Sequence, residues 1–230
     1  MKFYWFGDSW VYGDELQNRQ ECFAQLVSDQ LGAECKNLAI VGNSVDLIPL
    51  QFHSIADKIT PDDRVFFFLT ADARTVAFDN QAKWLKIMPN PGFDHQSFHP
   101  HTDQWYRYFD TPAQRIWNYD RTINLLWLWC EKIGVRGHFA NIFTTPDAPI
   151  IDCVPESAWL WNRNHCLSSV LLPHSNNRMG RIITDDCPEL TQAQWQEQKT
   201  AVAQWISPNH AHPNSAGHAK LAQAIAERLQ

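Results

Sequence analysis

A chain of 230 residues, 44% hydrophobic and 19% charged, can bury a core of its own and reads as one globular domain spanning 1–230. Its formal charge of −6 supplies no basic stripe to displace counterions, which argues against a nucleic-acid partner. No apolar run approaches the roughly 20 residues that a membrane span needs.

After Lys2 the chain passes directly into Phe3-Tyr4-Trp5-Phe6, with neither a long apolar signal core nor a cleavage site. The expectation is a cytoplasmic protein, or a virion-associated one were the chain phage-encoded. The cysteines Cys22, Cys35, Cys130, Cys153, Cys166 and Cys187 form no C-x-x-C pair. They read as reduced, small apolar residues, not as a metal or disulfide framework.

Lys2–Phe6 predicts a first strand, and Gly7-Asp8-Ser9-Trp10 sits at its carboxyl end. Phe23, Leu26, Val27 and Leu31 recur at helical spacing, which predicts a helix over about 18–31 with Gly32 as its cap. Leu38–Val41 reads as a second buried strand ending at Gly42. Ser44 then caps a helix to about Lys58, in which Pro49 is tolerated only within the first turn. Val65–Leu69, apolar throughout, fits a central parallel strand covered on both faces.

Residues 78–110 have no clean period and read as a long loop or lid. Pro112 opens an amphipathic helix through Ile116, Tyr119, Ile123, Leu126, Trp127 and Cys130, ending at Gly134. Phe139–Phe143 reads as a fourth strand. Residues 145–188 form a second irregular, lid-like insertion in which no fifth strand is identifiable. Thr191-x-x-Gln194 is a capping box for a helix to about Ile206, and Asn214 caps a last helix bearing Leu221, Ile225 and Leu229.

Alternating strands and helices imply an open, mostly parallel sheet with helices on both faces. Ligands of such sheets sit beyond the carboxyl ends of the strands, which singles out Gly7–Trp10, Gly42–Ser44 and Thr70–Arg74. Every candidate there also has a plain structural role. Ser9 suits a turn or cap, Asp8 holds the turn after the first strand, Asn214 caps a helix, and His218 reads as an exposed helical residue. His95, His99 and His101 are spaced by four and two with no cysteine partner, so they read as a solvated loop and not as a metal site.

The Gly7-Asp8-Ser9-Trp10 block, the Asn37-Leu38-Ala39-Ile40-Val41-Gly42-Asn43-Ser44 stretch and the late His212-Pro213-Asn214 resemble, in that order, the SGNH (GDSL-type) hydrolases. The resemblance spans nearly the whole chain. It implies a three-layer α/β/α, flavodoxin-like fold with a mostly parallel sheet. It implies Ser9 as nucleophile, His212 as general base, and the Ser9 and Gly42 amides as oxyanion donors. No metal or organic cofactor is implied. The chemistry agrees, because a serine hydroxyl becomes a competent nucleophile only when a neighbouring imidazole takes its proton.

Two positions depart from the family pattern. Ala71 stands where the family has an oxyanion asparagine, leaving Thr70 or Asn43 to lend a third donor. Asn209 stands where the family has the acid of its D-x-x-H block. An amide oxygen can orient the ring but cannot match the imidazolium charge, and the Asp→Asn change in a serine triad costs about 10⁴ in turnover. Asp72, Asp185 and Asp186 are substitute carboxylates among which the sequence does not choose.

The expected activity is hydrolysis of a small-acyl or O-acetyl carbohydrate ester. Asn43, Arg74 and Trp159 are the substrate-binding candidates, and the loop aromatics Trp84, Trp105, Trp159 and Trp161 suggest a sugar-stacking surface. The oligomeric state is not legible. The alternative is a non-catalytic SGNH-like module that binds a glycan or serves a structural role. A flavodoxin-like nucleotide binder lacks its glycine-rich phosphate loop.

Overall fold

The computed structural model describes residues 1–70, 75–78, 84–87, 111–143, 153–174, 190–207 and 212–230. In chain order its elements are β1 (Lys2–Phe6), α1 (Ser9–Tyr12), α2 (Phe23–Gln30), β2 (Glu34–Asn37), α3 (Ile48–His53), β3 (Arg64–Leu69), β4 (Thr75–Phe78), β5 (Trp84–Ile87), α4 (Pro112–Ile133), β6 (Arg136–Asn141), α5 (Ser168–Leu171), α6 (Gln192–Trp205) and α7 (Ser215–Leu229). Four strands form a parallel sheet in the order β2-β1-β3-β6. The strands after β1 are laid first to one side and then to the other, so the topological switch falls between β1 and β3, where such sheets bind ligands.

The strand periodicity of two builds two cores. Phe3, Trp5, Phe66 and Phe68 face one layer, where α2, α5, α6 and α7 supply Phe23, Val27, Leu171, Ala201, Leu221 and Ile225. Tyr4, Phe6, Val65, Phe67 and Leu69 face the other, against Ile48 and Phe52 of α3 and Tyr119, Ile123, Leu126 and Cys130 of α4. Trp5 stacks on Phe66 with ring centroids 4.1 Å apart, and Phe6 meets Phe67 at 5.5 Å on the opposite face. Aromatic pairs across adjacent strands thus fix the β1–β3 register from both sides.

The first and third expected strands, the helix beginning at Pro112, the capping box at Thr191 and the cap at Asn214 stand as read. Four expectations change. The second strand is Glu34–Asn37, not Leu38–Val41. An edge strand paired only with β1 needs no continuous apolar run. Leu38–Val41 instead leaves the sheet in a turn, with the Leu38 N–H donating to Trp5 O at 2.8 Å and Ile40 and Val41 both exposed.

The helix expected from Ser44 is broken into a 3₁₀ turn at Val45–Leu47, the short α3 and a second 3₁₀ turn at Ala56–Lys58; Pro49 does fall in the first turn of α3. The fourth strand begins at Arg136, because β6 pairs with β3 from Arg64 onward. His218 is fully buried: its Nδ1 accepts the Phe23 N–H at 3.2 Å and its ring lies over Phe23, since this face of α7 packs on α2.

Within the first irregular stretch, β4 and β5 pair antiparallel, Phe78 opposite Trp84. Residues 79–83 and 88–110, and with them the lid expectation there, lie outside the described residues. In the second stretch, Trp159 and Cys166 form parallel bridges to Phe139 and Asn141, a vestige of a fifth strand beside β6. Buried polar contacts pin this segment: Arg163 pairs with Asp120 of α4, Tyr119 Oη donates to Asn141 Oδ1, and Asn141 Nδ2 donates to the Arg163 carbonyl at 2.5 Å. Five cysteines are free thiols, and burial pushes Cys22 up to about 11 and Cys130 up to about 12. Cys187 lies outside the described residues.

Two histidines, His138 half-buried and His218 fully buried, make stability fall in acid. Burial, helped by Arg64 and Arg136, pushes His138 down to about 4, and burial, helped by His212, pushes His218 down to about 3. Both are neutral when folded, whereas an unfolded imidazole takes a proton below about pH 6.5. Their contribution is therefore complete above pH 6.5 and is lost as pH falls toward 4 and 3 respectively, at up to about 1.4 kcal/mol per pH unit for each. Urea unfolding at pH 7 and pH 4.5 should show a smaller loss for His138→Gln than for wild type.

Candidate active site

Asp8, two residues beyond β1 and the cap of α1, is a fully buried carboxylate. Its Oδ1 accepts the Trp10 N–H at 3.0 Å, capping α1, and its Oδ2 accepts the Thr70 hydroxyl at 2.8 Å. The carboxylate therefore ties the ends of β1 and β3 together at the switch point and sets Ser9 as the first residue of α1. This one-turn helix closes on Gly13, whose φ of 78° is left-handed, and the amides of Gly13 and Asp14 both donate to the Ser9 carbonyl. Asp8 thus has the turn-holding role expected of it.

His212 comes from the connection between α6 and α7. Ile206 and Pro213 bridge antiparallel, the Ser207 N–H donates to the His212 carbonyl at 2.7 Å, and the Asn214 N–H donates to the Trp205 carbonyl at 3.0 Å. Asn214 caps α7 by accepting the Gly217 N–H, and its Nδ2 donates to the Gln204 carbonyl. Gly217 lets the helix start close against α6, since a Cβ there would lie 2.3 Å from the Trp205 carbonyl oxygen.

The two chain ends converge. His212 Nε2 lies 2.8 Å from Ser9 Oγ, and both residues are largely buried. On the far side of the ring, Glu15 Oε1 lies 3.3 Å from His212 Nδ1, although no hydrogen bond of good geometry reaches Nδ1 among the described residues. Sequence reasoning missed Glu15; it belongs to no motif, and only the turn after α1 brings it to the ring.

The other expected site residues divide. Gly42 has a left-handed φ of 68°, and neither its N–H nor that of Ser9 has a hydrogen-bond partner among the described residues. Thr70 is corrected as an oxyanion donor: its hydroxyl is directed to Asp8. Asn43 is corrected as a substrate contact. It is fully buried, and its Nδ2 donates to the Gly7 carbonyl at 2.9 Å and to Gln51 Oε1 at 2.8 Å, stapling the second loop to the first.

Trp159 is corrected too, because it is buried in the α4-side core with its ring against Phe139. Trp161 is partly buried against the opposite core and lies near His165. Ala71, Asp72, Arg74, Trp105, Asp185, Asp186, Asn209 and the loop histidines lie outside the described residues. A cavity of about 690 Å³ opens at the other end of the sheet, beside Arg64, Arg136 and His138, and takes no part in this arrangement.

No protein-family model and no curated protein matches the chain. Solved structures do. A lipolytic protein of the G-D-S-L family from Desulfitobacterium hafniense DCB-2 is similar over 99% of this chain and 98% of its own, with a TM-score of 0.52 at 10% identity. A member of the lipolytic G-D-S-L family from Veillonella parvula DSM 2008 is similar over 99% of this chain and 97% of its own (TM-score 0.45, 13% identity). The psychrotrophic esterase EstA from Pseudoalteromonas sp. is similar over 99% of this chain and 96% of its own (TM-score 0.47, 8% identity). The first of these carries the comparison, which is one of fold.

Asp8→Ala removes the cap of α1 and the buried acceptor of the Trp10 amide and the Thr70 hydroxyl. Urea unfolding should show a loss of about 1–3 kcal/mol.

Proposed function

We propose that this chain, which has the three-layer α/β/α fold of the SGNH hydrolases, is a divergent member of that family that hydrolyses carboxylic esters through a Ser9 acyl-enzyme. The observation that carries the reading is the 2.8 Å approach of His212 Nε2 to Ser9 Oγ at the switch point of the sheet.

In this mechanism His212 carries its proton on Nδ1, so Nε2 accepts the Ser9 hydroxyl proton as Oγ attacks the ester carbonyl. The carbonyl π electrons move to oxygen, and the Ser9 and Gly42 amides receive that oxyanion. The carbon–oxygen bond to the alcohol then breaks, and the Nε2 proton goes to the departing oxygen. Water, deprotonated by the same nitrogen, attacks the acyl carbon; the bond from that carbon to Ser9 Oγ then breaks and Nε2 returns the proton to Oγ, freeing the carboxylic acid. The low burden on the oxyanion hole suits a reactive ester more than an amide. With Thr70 and Asn43 otherwise engaged, two backbone donors serve here.

A small acyl group is the substrate class this reading favours. The sugar-stacking argument is weakened by the burial of Trp159 and now rests on Trp84, Trp105 and Trp161; Arg74 remains a proposed contact for an anionic substrate group. A second reading, a non-catalytic module that binds a glycan or serves a structural role, draws support from Ala71 and Asn209 in place of the family's asparagine and acid.

Labelling with a fluorophosphonate probe separates the two readings. Wild type is expected to label, and Ser9→Ala not at all. His212→Ala should label at least about 10³-fold more slowly. Wild type that does not label, while folded, supports the non-catalytic reading.

A further inference from the structure

The family pattern puts the acid that orients the histidine at position 209, and this chain has Asn there. A base that takes a proton in the transition state becomes an imidazolium, which an amide oxygen compensates poorly. The structure supplies a carboxylate from elsewhere.

We propose that Glu15, reaching His212 from the turn after α1, is the acid of this site: a positioning residue that holds the Nδ1 proton and balances the charge on the ring. The assignment rests on the serine-hydrolase reading above. Two independent observations carry it. The first is the contact: Glu15 Oε1 lies 3.3 Å from His212 Nδ1, on the side of the ring opposite Ser9, and each side chain is 17% exposed. No other carboxylate pairs with His212 among the described residues. At 3.3 Å the pair is an ion-pair contact without hydrogen-bond alignment in this structure, and apo catalytic contacts that are long or poorly aligned commonly tighten in the substrate complex.

The second is the backbone. Glu15 has φ of 69°, the one non-glycine residue with positive φ among those described. A long side chain held in this region is uncommon and costly, and it persists where the surroundings demand it, often at functional sites. Here the left-handed turn reverses the chain after Gly13 and Asp14, so that a residue only six positions after Ser9 returns to the far side of the imidazole. A glycine would meet the backbone requirement without cost. The chain instead places a carboxylate there.

During attack the Ser9 proton goes to Nε2, the Nδ1 proton stays on the ring, and Glu15 keeps its negative charge throughout. The acid has thus moved from the late histidine block to the early serine block, and serine and acid are carried by one turn.

The test uses Glu15→Gln, Glu15→Asp and Glu15→Gly, with p-nitrophenyl acetate as the substrate. Glu15→Gln is expected to lower kcat by about 10²–10⁴-fold with little change in KM. Glu15→Asp, which keeps the charge, recovers a substantial part of it. Glu15→Gly relaxes the turn, so its thermal midpoint is at least that of wild type while its kcat falls as far as that of Glu15→Gln; a merely structural role would move the two together. Wild-type kcat in Glu15→Gln would overturn the assignment.

Proton NMR gives a readout that needs no turnover. A far-downfield Nδ1–H resonance is expected in wild type and in Ser9→Ala, and is expected to vanish in Glu15→Gln and His212→Asn. Its persistence in Glu15→Gln overturns the role of Glu15. Its loss there, in a protein that no fluorophosphonate labels, keeps Glu15 as the partner of His212 and sinks only the esterase reading.

Discussion

Everything at this site depends on the buried Asp8 carboxylate. Two parallel strands that run side by side need nothing at their ends to stay paired, but their following loops diverge. Asp8 resists that divergence by accepting one hydrogen bond from the turn after β1 and one from the residue after β3. The direction of Ser9 is set by this contact, because Ser9 is the next residue and begins the one-turn α1. A buried carboxylate is tolerated only when such donors satisfy it.

A second set of contacts brings in the other end of the chain. The α6–α7 connection is held by backbone bonds around Ile206, Ser207 and Asn214, and the first turn of α7 is fastened to the start of α2 by Phe23 N–H to His218 and to the turn before it by Ser215 to Glu21. The residues around 19–23 are thus shared: they follow the turn that carries Glu15 and they anchor the helix that follows His212. Serine, histidine and carboxylate are held as one body for this reason, though 203 residues separate Ser9 from His212.

The aromatic strands supply the rigidity under this arrangement. Because β1 and β3 are covered on both faces, each of their residues from Phe3 to Phe6 and from Val65 to Leu69 is buried, and neighbouring rings lock the register. A slip of one residue would exchange the two faces and move Asp8 away from Thr70. Precision at the strand ends follows from packing along their length.

The sequence by itself determined the elements whose signals are local: the apolar runs of β1 and β3, Pro112 and Gly134 at the ends of α4, the capping box at Thr191 and the cap at Asn214. It also determined the pairing of Ser9 with His212 as candidates, because their motifs survive in order. It misread Leu38–Val41, whose apolar residues cover a turn beside an edge strand, and His218, whose burial depends on α2 packing against α7. Only the tertiary structure decided which polar groups are already engaged. Thr70, Asn43 and Trp159 have the right chemistry for substrate, yet their partners Asp8, Gly7 and Phe139 are distant in sequence and invisible to any periodicity. The same holds for Glu15, which lies in no motif: what puts a carboxylate beside an imidazole is the fold of a turn, and local sequence records that turn only weakly because its left-handed residue is not a glycine.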